Sequence, residues 1–294
     1  MAAHDSVNWR PLLVEPSEPL KGLKSPAMAD LGFLLVGHGT RSTRGQDQFR
    51  ELYAKFAEQI RPAESELAFL ELAQPSIPQA IERLASKGTK QFVCMPLLLF
   101  TAGHALRDIP EAVQEAAAAN GLQCINQTPS LGTASPILNL SALRFRQTIC
   151  QSADTNCLNT GICSGKYCAQ TALIMVGRGS KSDSATDEMR KFTALRQTLT
   201  PTAWSKTAFI YAQSPTVPEA FNLAAQTPYR KVVVQPHLLF EGELLESLRM
   251  QVAEQNAKNS QQRWSITHTL GADQALAKSL CDIARSGRNE TIQL

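Results

Sequence analysis

Val36-Gly37-His38-Gly39-Thr40-Arg41 returns 140 residues later as Val176-Gly177-Arg178-Gly179-Ser180-Lys181. Each copy ends a short unbroken apolar run, Leu31–Val36 in the first and Ala172–Val176 in the second, and a strand without alternation is one covered on both faces. The same offset pairs Pro75-Ser76-Ile77-Pro78 with Pro215-Thr216-Val217-Pro218, and Pro96-Leu97-Leu98-Leu99-Phe100 with Pro236-His237-Leu238-Leu239-Phe240. It falls to 139 once Gly103 is set against Gly242 and Leu131-Gly132 against Leu270-Gly271. The chain is therefore a duplication of whole domains and not a solenoid, whose period would be about 20–50 residues. The copies differ where it matters for chemistry: the first carries His38 and His104, the second Arg178 and Glu243.

Between these landmarks strands and helices alternate. Phe49, Leu52, Tyr53, Phe56 and Ile60 recur at helical spacing after the first strand. Leu67–Leu72 reads as a second strand, Ile77, Ala80, Ile81 and Leu84 as a second helix with Pro78 in its first turn, and Phe92–Leu99 as a third strand. Ile109–Ala119 reads as a helix, Gln123–Asn126 as a short strand, and Ser135-Pro136 opens a helix running to about Cys150. The second copy repeats the order, with strands at Ala172–Val176, Thr207–Tyr211, Lys231–Gln235 and Trp264–Thr269. This alternation demands parallel strands with helical crossovers. The fold class is α/β: two tandem domains, each a parallel sheet flanked by helices. The expected boundaries are a tail at 1–29, a first domain at 30–149, a cysteine-containing linker at 150–170 and a second domain at 171–294. Each unit is expected to bury its own core.

Composition excludes several classes. Hydrophobic residues make up 43% and charged residues 19%, the balance of a globular protein. A net charge of +3 over 294 residues gives no general pull toward nucleic acid or membrane. No stretch approaches the roughly 18 apolar residues of a spanning helix. Met1–Ala29 lacks an apolar centre and contains Asp5, Glu15 and Glu18, which argues against a signal or transit peptide and for the cytoplasm.

In parallel sheets the loops beyond the carboxyl ends of the strands carry the ligand site. His38 lies two residues after the first strand and His104 a few after the third, so both project from one rim. Gly37-His38-Gly39 lets backbone approach a ligand closely. Two neutral imidazoles across a cleft suit a borderline divalent ion, and they also suit proton abstraction. His4 falls in the tail. His268 is read as packing in the last strand. His237 stands opposite Leu97 of the other copy and gains no support from the repeat.

Gly37-His38-Gly39-Thr40-Arg41, Phe69-Leu70-Glu71-Leu72-Ala73-Gln74-Pro75-Ser76-Ile77, and Pro96-Leu97-Leu98-Leu99-Phe100-Thr101-Ala102-Gly103-His104 with Asp108-Ile109-Pro110 closely resemble the sirohydrochlorin chelatases, in their long two-domain form. The likeness is strong from Leu31 to about Gly132 and weaker over Ala172–Ala284. It implies insertion of Fe²⁺ or Co²⁺ into sirohydrochlorin on the way to siroheme or cobalamin, with the ion as substrate and no nucleotide or other cofactor required. It also implies that His38 and His104 handle the metal, with Glu71 as a third participant, whose plain alternative is a solvated strand-end carboxylate.

Sirohydrochlorin is a polycarboxylate, and Arg41, Arg44, Arg107, Arg178 and Lys181 fall in loops at the expected rim, where guanidinium suits bidentate binding of carboxylate. Any of them reads equally well as an ordinary solvated charge. Arg178, replacing the histidine of the first copy, is the one expected to face the cleft. Cys150, Cys157, Cys163 and Cys168 cluster in the linker. Four thiols so close suit an iron–sulfur cluster or structural zinc, but the tight C-x2-C spacing is absent, which leaves unliganded linker cysteines equally open. Cys94, Cys124 and Cys281 read as small core residues. The duplication suggests a monomer. The rival readings are a non-catalytic tetrapyrrole or metal carrier, a protoporphyrin ferrochelatase, and a phosphate-binding enzyme; the last lacks both glycine-rich spacings that such sites use.

Overall fold

The structure, a computed structural model, describes residues 30–100, 107–150 and 168–286. The tail, His104, Cys157 and Cys163 lie outside the described residues. The first half runs β1 (Leu31–Gly37), α1 (Thr43–Ile60), β2 (Glu64–Phe69), α2 (Ile77–Ser86), β3 (Gln91–Pro96), α3 (Ile109–Ala119), β4 (Gln123–Gln127) and α4 (Ser135–Ile149). The second runs β5 (Thr171–Gly177), α5 (Asp183–Leu199), β6 (Trp204–Phe209), α6 (Val217–Ala225), β7 (Lys231–Pro236), α7 (Glu243–Lys258), β8 (Arg263–Ile266) and α8 (Gln274–Ser286). Each half holds a four-stranded parallel sheet, ordered β2-β1-β3-β4 and β6-β5-β7-β8. In both sheets the chain reverses its direction of winding between the first and third strands, which is where open α/β sheets form their crevice.

β1 shows why its sequence is uniformly apolar. Phe33, Leu34, Leu35 and Val36 are all fully buried. Phe33 and Leu35 pack in one cluster with Phe49, Leu52 and Phe56 of α1. Leu34 and Val36 pack in another with Ile77, Ala80, Ile81 and Leu84 of α2 and Ile109 and Val113 of α3. Helix starts follow local chemistry: Ser42 caps α1 by accepting the Gly45 N–H at 3.3 Å, and Thr216 and Glu219 form a reciprocal capping box on α6.

Three expectations need correction. Each half closes a core of its own on one sheet face, under α2 and α3 in the first and under α6 and α7 in the second, but the other faces share one: the cluster under α1 continues through Leu140 and Phe145 of α4, Met189 and Phe192 of α5, and Leu276 and Leu280 of α8. The terminal helices are exchanged in their packing, since α8 of the second half lies on α1 of the first, α4 of the first lies on α5 and β7 of the second, and α4 meets α8. Polar contacts reinforce the seam: Gln235 donates to the Ser141 carbonyl at 2.7 Å, and Arg144 donates to the Leu270 carbonyl at 2.6 Å and to Asp273 at 2.9 Å. Second, β2 and β6 end at Phe69 and Phe209, short of Leu72 and Tyr211. The chain leaves the ladder there, with Leu72 and Ala212 in the left-handed region at φ 63° and 59°. Third, His268 lies beyond β8, exposed, on a cavity of about 290 Å³ at the seam lined also by Gln48, Glu51, Arg144, Glu241 and Asp273. Cys94 and Cys281 are buried as expected, and Cys124 is half-buried.

Candidate functional site

His38 is placed by the continuation of the β1–β2 pairing past the strand ends. Gly37 stands opposite Phe69. Beyond it the Leu70 N–H donates to the Gly37 carbonyl at 2.9 Å, and the Glu71 N–H donates to the His38 carbonyl at 3.1 Å. These two bonds bring the His38 and Glu71 side chains together, with Nδ1 to Oε1 at 3.4 Å. The approach is so close that Gly39, at φ 101°, lies against the Glu71 carbonyl where a Cβ would collide. Glycine is needed there for both conformation and space. The imidazole is mostly covered, 21% exposed, whereas the carboxylate is 51% exposed and open to solvent.

A carboxylate beside Nδ1 favours the proton on that nitrogen and leaves the Nε2 lone pair for a metal or a proton. Glu71 thus stands beside the ring with its carboxylate also open to solvent. On the other side of the winding reversal the Leu97 N–H donates to the Val36 carbonyl at 2.7 Å. That contact sets the departure of the β3 loop, which runs on through Phe100 toward His104.

The second half repeats this backbone with different side chains. The Ile210 N–H donates to the Gly177 carbonyl at 3.1 Å, and the Tyr211 N–H donates to the Arg178 carbonyl at 3.0 Å. Gly179, at φ 85°, lies against the Tyr211 carbonyl as Gly39 lies against that of Glu71. Arg178 and Tyr211 thus occupy the places of His38 and Glu71. Arg178 and Lys181 are exposed at this rim, as are Arg41 and Arg107 at that of the first half, and no ion pair among the described residues engages these four. Arg44 differs. Its guanidinium meets the buried Glu241 of the second half at two points, Nε to Oε2 at 3.0 Å and Nη2 to Oε1 at 3.1 Å. A larger groove of about 480 Å³, against Pro215 and Leu223, contains none of these residues.

His237 is buried at the seam between Phe192, ring centroids 4.0 Å apart, and Phe100 at 5.2 Å. Among the described residues neither ring nitrogen has a hydrogen-bond partner. Burial pushes its pKa down to about 3, so it is a neutral packed ring and takes no part in the rim.

Cys150 and Cys168 are buried, and neither is in a disulfide. Beside Cys168 sits Arg196, fully buried. Its guanidinium covers the Phe145 ring at 4.3 Å and donates to the Thr200 carbonyl at 3.3 Å, while Nε and Nη2 have no acceptor among the described residues. The Nε of Arg146 is likewise buried without an acceptor. Burial lowers the Arg196 pKa to about 9, with Cys168 opposing the shift and Arg146 adding to it. Sequence reading missed this arginine. Its spacing from Met189 and Phe192, on the apolar face of α5, was the signal that could have found it. Among the described residues no group of three or more His, Cys, Asp or Glu side chains is gathered as a metal site.

The CbiX family model matches residues 32–148 and again residues 172–286. A sirohydrochlorin ferrochelatase of Priestia megaterium is 28% identical over 247 residues, covering 84% of this chain and 86% of its own length. A sirohydrochlorin cobaltochelatase of the same organism is 26% identical over 265 residues, covering 89% of this chain and 81% of its own. Among solved structures, SirB from Bacillus subtilis with Fe³⁺ superposes with a TM-score of 0.75 at 20% identity, over 89% of this chain and 98% of that one. At that identity the likeness shows the fold.

Proposed function

We propose, from the premise that this chain belongs to the CbiX family, that it is a sirohydrochlorin chelatase, inserting a divalent ion, Fe²⁺ or Co²⁺, into the macrocycle. The observation that carries the reading is the 3.4 Å approach of Glu71 to His38 Nδ1 beyond the end of β1, at the crevice of the sheet.

Insertion replaces two pyrrole N–H protons by one divalent ion, so the site must hold a soft-to-borderline cation and dispose of two protons. His38 offers Nε2 as ligand or base. Glu71 orients that ring through Nδ1 and, being half exposed, passes protons to water. The family resemblance gives His104 the second imidazole role. Arg178, Lys181, Arg41 and Arg107 ring the crevice as binders of substrate carboxylates, with Arg178 at the place of the missing second histidine. Arg44, already held by Glu241, serves to fix the loop.

The protein acts as a cytoplasmic monomer in this reading, because the second half supplies the face that a second copy would. The four linker cysteines hold an iron–sulfur cluster or zinc. The buried Arg196 guanidinium beside Cys168, with Nε and Nη2 unpartnered among the described residues, fits a group with excess thiolate charge, since a buried cation without a counter-charge costs several kcal/mol. Such a group would act structurally, apart from the insertion chemistry.

The test is anaerobic incubation of sirohydrochlorin with Fe²⁺, Co²⁺ or Ni²⁺, followed by absorbance, for wild type, His38→Ala and Arg178→Ala. His38→Ala is expected to lose at least about a hundredfold in rate, and Arg178→Ala to raise KM for sirohydrochlorin. Equal rates in wild type and His38→Ala would end the proposal, and sirohydrochlorin bound without turnover in wild type would favour a carrier.

A further inference from the structure

We infer that Glu241 is the positioning residue that fixes the His38 loop against the second half and so sets the width of the cleft. The inference rests on the chelatase reading for its functional consequence and on geometry for its existence. Glu241 follows Phe240 directly and stands opposite Thr101 in the repeat, so it belongs to the loop that in the first half leads to His104. The second copy of that loop has lost its histidine, and the structure gives it another task.

Its polar contacts across the seam among the described residues fall on the ten residues after His38. Arg44 grips its carboxylate at the two points given above. The Glu241 N–H donates to Gln48 Oε1 at 2.8 Å. Gly45 packs so tightly on the Glu241 carbonyl that a Cβ there would stand 2.5 Å from the oxygen. Gly242 lies 3.7 Å, measured from the place of its absent Cβ, from the side chain of Ser42, the residue that caps α1. Arg249 of α7 backs the carboxylate from its own half at 3.5 Å. The Glu241 carboxylate is 8% exposed, and a buried carboxylate held by two guanidinium groups is a fixed point.

Glu71 therefore holds the His38 loop from one side and Glu241 from the other. Release of the second hold leaves the imidazole attached to its own sheet but free to shift against the rim that bears Arg178. A misplacement of about 1 Å at a reacting group costs up to a hundredfold in rate.

The experiment compares wild type with Glu241→Ala, Glu241→Gln and Glu241→Asp by amide hydrogen exchange, which needs no turnover, and by metal insertion kinetics. Exchange over residues 38–45 is expected to rise by about tenfold or more in the Ala and Gln variants, while β5 keeps its wild-type protection. The kcat falls by about tenfold or more with KM for the metal little changed, and the Asp variant recovers most of both. Arg44→Gln, a change at an exposed side chain that carries little folding risk, is expected to loosen the same amides. Unchanged exchange over 38–45 in both Glu241→Ala and Arg44→Gln overturns the inference, as does loss of protection spread equally over β5. If wild type inserts no metal, the chelatase reading falls, and the exchange result still decides whether the clamp exists.

Discussion

Replacing His237 by leucine tests the seam by borrowing from the molecule's own first half. The repeat places Leu97 opposite His237, and Leu97 is buried to the same degree, so the substitution installs a side chain that this backbone already accommodates. Two desolvated nitrogens without partners among the described residues cost about 1–3 kcal/mol each, against which the stacking on Phe192 returns about 0.5–1.5 kcal/mol. The variant is expected to be more stable at pH 7 by at least about 1 kcal/mol.

The sharper expectation concerns pH. The His237 pKa falls from 6.5 to about 3 through burial, so the unfolded chain takes up a proton that the folded chain refuses. Its contribution is intact above pH 6.5 and drains away as pH falls toward 3. At pH 5 the loss relative to pH 7 is about 2 kcal/mol. The leucine variant lacks that loss, and all other titrating groups cancel between the two proteins. Urea unfolding of both at pH 7 and pH 5 measures it directly: the gap between them should widen by about 2 kcal/mol. Parallel pH dependences would refute the assignment of His237 as a ring kept neutral by burial.

Gly39→Ala forces a Cβ into the Glu71 carbonyl, and Gly179→Ala does the same at Tyr211. Both are expected to cost roughly 2 kcal/mol or more in thermal or urea unfolding, but only Gly39→Ala should lower kcat beyond its effect on the folded fraction. Anaerobically purified protein is expected to contain iron with sulfide, or zinc, that Cys168→Ser loses while His38→Ala retains it. Metal analysis and the visible spectrum read this without any assay of turnover.

How much of this was legible depended on whether a feature was local. The parallel strands and the β1 rim follow from the apolar run Leu31–Val36 and the glycines about His38, whereas Glu71 was singled out only by the resemblance at Phe69–Ile77, and its approach to His38 Nδ1 is seen only in the structure. The end of β2 was misplaced because Leu70 and Leu72 are apolar and look like strand, although Leu72 is 49% exposed and left-handed. The shared core could not be read. An amphipathic helix such as α4 or α8 shows that it has a face to bury, and nothing in its own spacing says which sheet receives it. Glu241 was hidden for a related reason: it sits where the repeat changes offset, and its partner Arg44 lies 197 positions away.

The duplication also allows backbone strain to be separated from catalysis. Leu72 and Ala212 share the same left-handed turn, Gly39 and Gly179 share positive φ, and both loops make the same pair of N–H to carbonyl bonds. A left-handed residue other than glycine costs about 1–2 kcal/mol, and such strain at a site invites a mechanistic reading. Here the half that carries Arg178 in place of His38 bears the same strain, so the turn belongs to the way this scaffold ends its first two strands. What distinguishes the halves is only what the turn presents: imidazole and carboxylate in one, guanidinium and phenol in the other. A chimera in which Arg178 and Tyr211 become histidine and glutamate would inherit a backbone already shaped for the pair proposed to handle the metal. It would still lack a counterpart of His104, because Glu243 stands at that position. Restoring insertion at the second rim should therefore require all three changes, whereas abolishing it at the first needs His38 alone.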